Sequence, residues 1–220
     1  AAEAYRKASE LDCFWKMHIK KEIPHGAGLG GASADAAAVL FLLEEKYGSL
    51  GKERLFSLAS SLGADIPFLL CPHAAARCRG IGEKIEPFSA GGGLSLLLAM
   101  GHERVSTPRA YAGVEEREGA AMERAEKRLE ALCCTIAEGQ MEGLRELLFN
   151  DLQAPATALA PEIARLLEDL ESVSPMAMAM TGSGAACMGL FRREEEANGA
   201  ASALAGRWPF LRVCHTLAGT

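Results

Sequence analysis

Ile23-Pro24-His25-Gly26-Ala27-Gly28-Leu29-Gly30-Gly31-Ala32-Ser33-Ala34-Asp35-Ala36-Ala37-Ala38 joins an expected strand to an expected helix through a loop almost free of side chains. Glycines at 26, 28, 30 and 31 let backbone N–H groups approach an anion closely and take positive φ at no steric cost. The alanine-rich run beyond them favours helix. Its unpaired first N–H groups and the positive end of its dipole then face the same anion. A segment of this kind is suited to holding phosphate.

Flanking residues separate the possible phosphate loops. Gly26, Gly28 and Gly31 match the G-x-G-x-x-G dinucleotide pattern, but that pattern follows a strand buried on both faces and leads through a helix to a second strand. Here Trp15, Met17 and Ile19 alternate with Lys16, His18 and Lys20, which predicts an antiparallel strand over 14–23 with one wet face. The predicted helix over 34–47 is followed by another over 52–62, closed by Gly63, and not by a strand. A Walker loop is excluded because Gly51-Lys52 continues with Glu53.

Composition bounds the remaining possibilities. A chain of 220 residues, 49% hydrophobic, can bury one large core or two smaller ones. A formal charge of −6 argues against nonspecific nucleic-acid binding, which calls for a basic surface. Seven cysteines without a Cys-x-x-Cys pair suggest reduced thiols. No apolar run reaches the roughly 20 residues of a membrane helix. Cys71-Pro72-His73 with Cys78 has no familiar zinc spacing and reads as thiols beside a surface histidine.

Ser89-Ala90-Gly91-Gly92-Gly93 reads as a flexible joint and divides the chain into expected domains at 1–90 and 91–220. Strand-like pieces are expected at 67–71 and 84–88. Beyond the joint, an apolar strand over 94–100 leads to a helix over 107–117, entered through Ser106-Thr107-Pro108. Helical patterns follow at 123–137, 141–149 and 161–170. The closing order is strand 176–180, strand 186–191, helix 194–205 and strand 211–216. That order predicts an α+β arrangement, an antiparallel sheet covered by helices on one face.

The segment Pro-x-Gly-x-Gly-Leu-Gly-Gly-x-Ser-x-Asp-Ala-Ala, from Pro24 to Ala37, resembles the phosphate loop of the GHMP kinase superfamily. Its Gly-Leu-Gly-Gly spacing and the Asp-Ala-Ala after the serine are most similar to the 4-diphosphocytidyl-2-C-methyl-D-erythritol kinases of the non-mevalonate isoprenoid pathway. Two further blocks agree in order and spacing. They are Leu62-Gly63-Ala64-Asp65-Ile66-Pro67-Phe68 with Arg79-Gly80-Ile81-Gly82-Glu83-Lys84, and Asn150-Asp151-Leu152 with Met180-Thr181-Gly182-Ser183-Gly184-Ala185.

The resemblance implies an α+β, two-domain GHMP kinase fold, with an N-terminal part like ribosomal protein S5 domain 2 and a ferredoxin-like C-terminal part. It also implies ATP, with Mg2+ carried as Mg-ATP, and a small-molecule alcohol as acceptor. It implies neither a nucleic-acid nor a membrane partner. A bacterial cytoplasm is the default location and a plastid the alternative, and the oligomeric state stays open between monomer and homodimer. The family's opening strand, with an Ala-Lys-Ile-Asn-Leu motif and a following Tyr-His pair, has no counterpart here, and Ala1 to Lys7 reads as the amphipathic helix that in relatives comes just before the phosphate-loop strand. The expectation is therefore an N-terminally truncated kinase. Alternatives are another GHMP kinase, of homoserine or mevalonate type, and a silent nucleotide-binding remnant.

Candidate residues follow from the matched positions. Asp65, read alone, is a turn residue whose carboxylate bonds nearby N–H groups; the resemblance makes it the catalytic group between acceptor hydroxyl and γ-phosphate. Pro24, Gly26, Gly28, Leu29, Gly30, Gly31 and Ser33 are the expected ATP-binding residues, with Ser33 also readable as a plain N-cap. Thr107, Tyr111, Gly182, Ser183 and Gly184 are expected to meet substrate, although Thr181 to Gly184 alone reads as a tight hairpin and Tyr111 as core. Asp35 is favoured by the helix dipole with or without a metal, and no metal ligand is assigned. Lys20 and His25 read first as solvated, and Met176, Met178 and Met180 as strand core.

Overall fold

The computed structural model describes residues 1–71, 73–115 and 118–217. By contact the chain divides into two compact units, Ala1–His25 with Gly30–Phe88, and Gly26–Leu29 with Ser89–Thr220.

In the first unit, α1 (Ala2–Ser9), α2 (Gly31–Tyr47), α3 (Gly51–Leu62) and the short α4 (Ile66–Leu69) precede a hairpin of β1 (Ala75–Arg79) and β2 (Lys84–Phe88). The hairpin is antiparallel, with Ala75 opposite Phe88 and Arg79 opposite Lys84. Ala37, Leu40 and Leu43 recur at helical spacing on α2. They bury with Tyr5 of α1, Leu55 and Ala59 of α3 and Ile66 of α4. Each leucine so buried stabilises the unit by about 1.5–3 kcal/mol. Gly48, left-handed at φ 59°, ends α2, its N–H donating to Glu44 O.

Two expected strands of this unit are absent. Residues 11–22 form no strand, and Phe14 is 86% exposed. A strand needs a neighbour for its N–H and C=O groups, and β1 and β2 pair only with one another among the described residues. Trp15 is instead held individually, its indole N–H donating to Tyr47 Oη at 3.0 Å. The piece expected as strand over 67–71 is largely α4. Pro67 lies in the first turn of that helix, where its missing N–H has no partner to lose.

In the second unit, β3 (Ser95–Met100) is followed by α5 (Thr107–Ala112), α6 (Gly119–Ala137), α7 (Leu144–Leu147), α8 (Gln153–Leu159) and α9 (Glu162–Ser172). Then come β4 (Ala177–Met180), β5 (Cys187–Phe191), α10 (Glu194–Ala203) and β6 (Phe210–His215). The predicted end of the 107–117 helix falls on Arg117, outside the described residues. The sheet order is β4-β5-β3-β6, with each neighbouring pair antiparallel, which is the ferredoxin-like arrangement.

Period-two alternation assigns the two faces of this sheet. Leu97, Ala99, Met180, Cys187 and Phe191 face one core with Ile163, Leu166 and Leu170 of α9 and Ala197 and Ala200 of α10. Leu96, Ala177 and Leu190 face another, where Leu132 and Ile136 of α6 and Leu144 of α7 pack. Helices therefore cover both faces, not one. The second set arises because Leu94, Leu96, Met188 and Leu190 make the outer face apolar as well. No helix among the described residues is long and apolar enough to cross a membrane.

Candidate active site

The glycine loop contributes residues to both units, and each part has its own geometry. Gly26, Gly28 and Gly30 all take positive φ, at 70°, 69° and 65°, while Ala27 and Leu29 between them do not. Alternation of this kind turns successive N–H groups toward one side, as in anion-binding nests.

Gly30 is the N-cap of α2, and Ala34 N–H donates to Gly30 O at 2.8 Å. The amides of Gly31, Ala32 and Ser33 consequently lack intrahelical acceptors. Ser33 is the third helical residue and not the N-cap expected from its type. The preceding glycine supplies the left-handed entry, so the helix starts two residues before the serine. The Ser33 hydroxyl has no hydrogen-bond partner among the described residues. Asp35, two residues further on, is ion-paired with Lys21, and Lys20 with Glu22 at 2.9 Å. Pro24 is half-buried and His25 exposed.

Asp65 occupies the N-cap position of α4, but its carboxylate makes no capping hydrogen bond and is solvent-exposed. The turn reading, in which that carboxylate bonds neighbouring N–H groups, is thereby overturned. Its charge is felt by Cys78, whose thiol is pushed up first by burial and then by Cys71 and Asp65. Pro72, between Cys71 and His73, lies outside the described residues. Among those described, no three His, Cys, Asp or Glu side chains converge as a metal centre would require.

In the second unit, Gly26–Leu29 lies against the turn that joins β4 to β5. Ala185 N–H donates to Gly26 O at 3.3 Å and Ala186 N–H to Ala27 O at 3.1 Å. Thr181 Oγ1 donates to Ala27 O, also at 3.1 Å. A Cβ on Gly28 would overlap Thr181 O and lie 2.8 Å from Gly184 N, and one on Gly182 would lie 2.7 Å from Gly28 O. Thr181 to Gly184 is thus a hairpin turn and a docking surface for the glycine loop at once.

Two residues without an assigned role in the sequence hold that turn. Asn150 Nδ2 donates to Met180 O and Gly182 O, both at 2.8 Å, while its Oδ1 accepts from Leu152 N–H. Gln153 Oε1 accepts from Met180 N–H at 2.9 Å. Thr107 Oγ1 lies 2.8 Å from Ser183 Oγ, linking the start of α5 to the same turn. Tyr111 is 63% exposed on α5, and Ala110 beside it is the buried residue. The expected residues are divided between the units: Pro24, Gly30 to Ser33 and Asp65 belong to the first, and Gly26 to Leu29, Thr107, Tyr111 and Gly182 to Gly184 to the second.

A glycine-rich loop opening a helix, an aspartate unused by its own helix, and a ferredoxin-like second unit are together the features of a class of small-molecule kinases. The chain belongs to the GHMP kinase family: the family's N-terminal domain matches residues 1–72 and its C-terminal domain residues 129–209. It is 38% identical over 213 residues to the 4-diphosphocytidyl-2-C-methyl-D-erythritol kinase of Nitratidesulfovibrio vulgaris strain DP4, covering 94% of this chain and 71% of that one. A crystal structure of a 4-(cytidine 5'-diphospho)-2C-methyl-D-erythritol kinase superposes with a TM-score of 0.80 at 31% identity, covering 100% of this chain and 76% of the other. Homoserine kinase from Cytophaga hutchinsonii shares the fold, with a TM-score of 0.67 at 14% identity over 90% of this chain and 68% of that one.

Proposed function

We propose that this protein transfers the γ-phosphoryl group of ATP to the 2-hydroxyl of 4-diphosphocytidyl-2-C-methyl-D-erythritol. The observation that carries the reading is the loop of alternating positive-φ glycines at 26, 28 and 30 opening the N-terminus of α2. That geometry presents backbone N–H donors to an anion. The acceptor comes from the names of the relatives. Homoserine kinase likeness, at 14% identity, bears on the fold alone.

Phosphoryl transfer requires alignment and charge stabilisation more than covalent help from the protein. In the proposed reaction the acceptor oxygen forms a bond to the γ-phosphorus, the bond to ADP breaks, and the hydroxyl proton passes to the Asp65 carboxylate or to solvent as Asp65 orients the oxygen. The exposed Asp65 side chain, unused by its own helix, is available for that role. Gly26 to Gly31 and the Ser33 hydroxyl hold the nucleotide phosphates. Thr107, Tyr111 and the Gly182 to Gly184 turn contact the acceptor. Asp35 already faces Lys21, so the residues present fit a magnesium ion arriving with the nucleotide better than one held by a carboxylate cage. Bound there, the ion neutralises phosphate charge.

The test is phosphorus NMR of the protein mixed with Mg-ATP and the diphosphocytidyl alcohol, with homoserine and mevalonate as control acceptors. A new phosphomonoester on the diphosphocytidyl alcohol alone is expected. ATP binding without transfer to any acceptor would instead favour a silent nucleotide-binding protein.

A further inference from the structure

The glycine loop has a cationic neighbour that its sequence motif does not contain. Arg104 stands on the connection between β3 and α5, where nothing in the composition or spacing marks it out. A Cβ built on Gly26 would lie 3.7 Å from Arg104 Cδ and 3.9 Å from one of its terminal guanidinium nitrogens, both ordinary contact distances. The arginine stem therefore lies along the first glycine of the loop, with the guanidinium beside it and the residue exposed.

The backbone on either side of Arg104 is fixed. Glu162, at the start of α9, accepts the N–H groups of His102 and Glu103 at 2.7 and 2.8 Å, and Glu103 Oε2 accepts Glu162 N–H at 2.9 Å. This reciprocal pair ties the connection to α9. Val105 is buried immediately after Arg104. Gly26 is itself anchored, its carbonyl accepting Ala185 N–H. Both partners of the Arg104–Gly26 contact are thus held by hydrogen bonds within the second unit.

We propose that Arg104 is an anion-binding residue of this protein, supplying a guanidinium to a phosphate or diphosphate group at the Gly26 edge of the glycine loop. The assignment rests on the kinase reading for the identity of the ligand, and on geometry for the place. Backbone N–H groups supply partial charges, whereas a guanidinium supplies a full charge and a planar pair of donors that match two phosphate oxygens. Two ligands of the proposed reaction carry such a group: the polyphosphate of ATP and the diphosphate of the acceptor.

The experiment titrates Mg-ATP, and separately the diphosphocytidyl alcohol, into wild-type protein, Arg104→Gln and Arg104→Lys, with thermal melting as a folding control. Arg104→Gln is expected to keep the wild-type melting temperature and weaken one phosphate-bearing ligand about tenfold, with Arg104→Lys recovering part of the loss. The wild-type affinity for that ligand should also fall more steeply with salt than that of the Gln variant. Loss confined to ATP assigns the nucleotide as the source, and loss confined to the alcohol assigns the acceptor.

Affinities for both ligands within about twofold of wild type in Arg104→Gln would overturn the proposal. So would wild-type protein that binds neither ligand. Wild-type protein that binds with the expected Arg104 dependence, yet transfers no phosphate, would sink the kinase reading and leave the Arg104 assignment standing.

Discussion

Asp65 begins α4 without capping it, since its carboxylate bonds none of that helix's N–H groups. A cap residue replaced by one lacking the right acceptor costs its helix about 1 kcal/mol. Here there is no cap bond to lose, so stability and turnover should separate cleanly in Asp65→Asn. The melting temperature should stay within about a degree of wild type. The kcat for phosphoryl transfer should fall about 10²- to 10⁴-fold, with KM for ATP little changed. Steady-state kinetics alongside a thermal melt make the test, and near-normal turnover would remove Asp65 from the chemistry. Gly28 is the opposite case, where the structural demand dominates. Gly28→Ala forces a Cβ into Thr181 O at positive φ, whereas Gly30→Ala, at φ 65°, meets nothing within 4 Å. Urea unfolding without nucleotide should show Gly30→Ala destabilised by about 1 kcal/mol and Gly28→Ala by clearly more, of the order of 2–4 kcal/mol. Equal losses would mean that the close approach of the two glycine turns contributes nothing.

The element against which Gly28 packs is the β4–β5 turn, and Asn150 is its main fastener. Asn150→Asp keeps an acceptor for Leu152 N–H but removes both donors and sets an anion against Met180 O and Gly182 O. A loss of about 1–3 kcal/mol in denaturant stability is expected. The same substitution should also raise KM for ATP more than it lowers kcat, because the turn supports the Gly26–Leu29 segment. A stability loss with unchanged KM would limit Asn150 to a scaffold role. Much of this architecture was legible in the chain. The strands near 95–100, 177–180, 187–191 and 210–215 were readable because each is a short apolar run bounded by turn residues, and α2 and α3 because glycine ends each of them. The failures have physical causes. The alternation of 14–23 describes what the segment would do beside a neighbour, and no ladder is available among the described residues. The piece at 67–71 is largely helix because Pro67 falls in the first turn, which tolerates it. Neither the Asn150 fastening nor the Arg104 contact has a local signature, since each depends on residues about 30 or 80 positions distant.

At the scale of the whole molecule, net charge is −6 and many carboxylates are exposed, but only a few are built into the fold. The Glu162 carboxyl is held low, chiefly by the N–H of Glu103, against the opposing effect of burial. For Glu44, burial pushes up, but the Tyr5 hydroxyl and the amides of Gly51 and Leu50 together outweigh it and hold the carboxyl low. A carboxyl lowered by folding contributes stability above its unfolded value, about 4.3, and loses it as pH falls through the folded value. Cys187 has the opposite sign. Burial pushes its thiol up to about 12, so its contribution is complete below the unfolded value, about 8.5, and fades as pH rises toward the folded one. Tyr5, raised by burial and by its bond to Glu44, acts in the same direction. The protein should therefore show a plateau of melting temperature between roughly pH 5 and 8, with an acid limb set by Glu44 and Glu162 and an alkaline limb set in large part by Cys187. Pairwise differences isolate the limbs. The advantage of wild type over Glu44→Gln/Glu162→Gln should shrink as pH falls from 5 to 3, and its advantage over Cys187→Ala should shrink as pH rises from 9 to 11. Differences that stay constant across those ranges would show that these groups pack without being linked to protons, and that the general acidity of the surface, not particular hydrogen bonds, sets the acid limit.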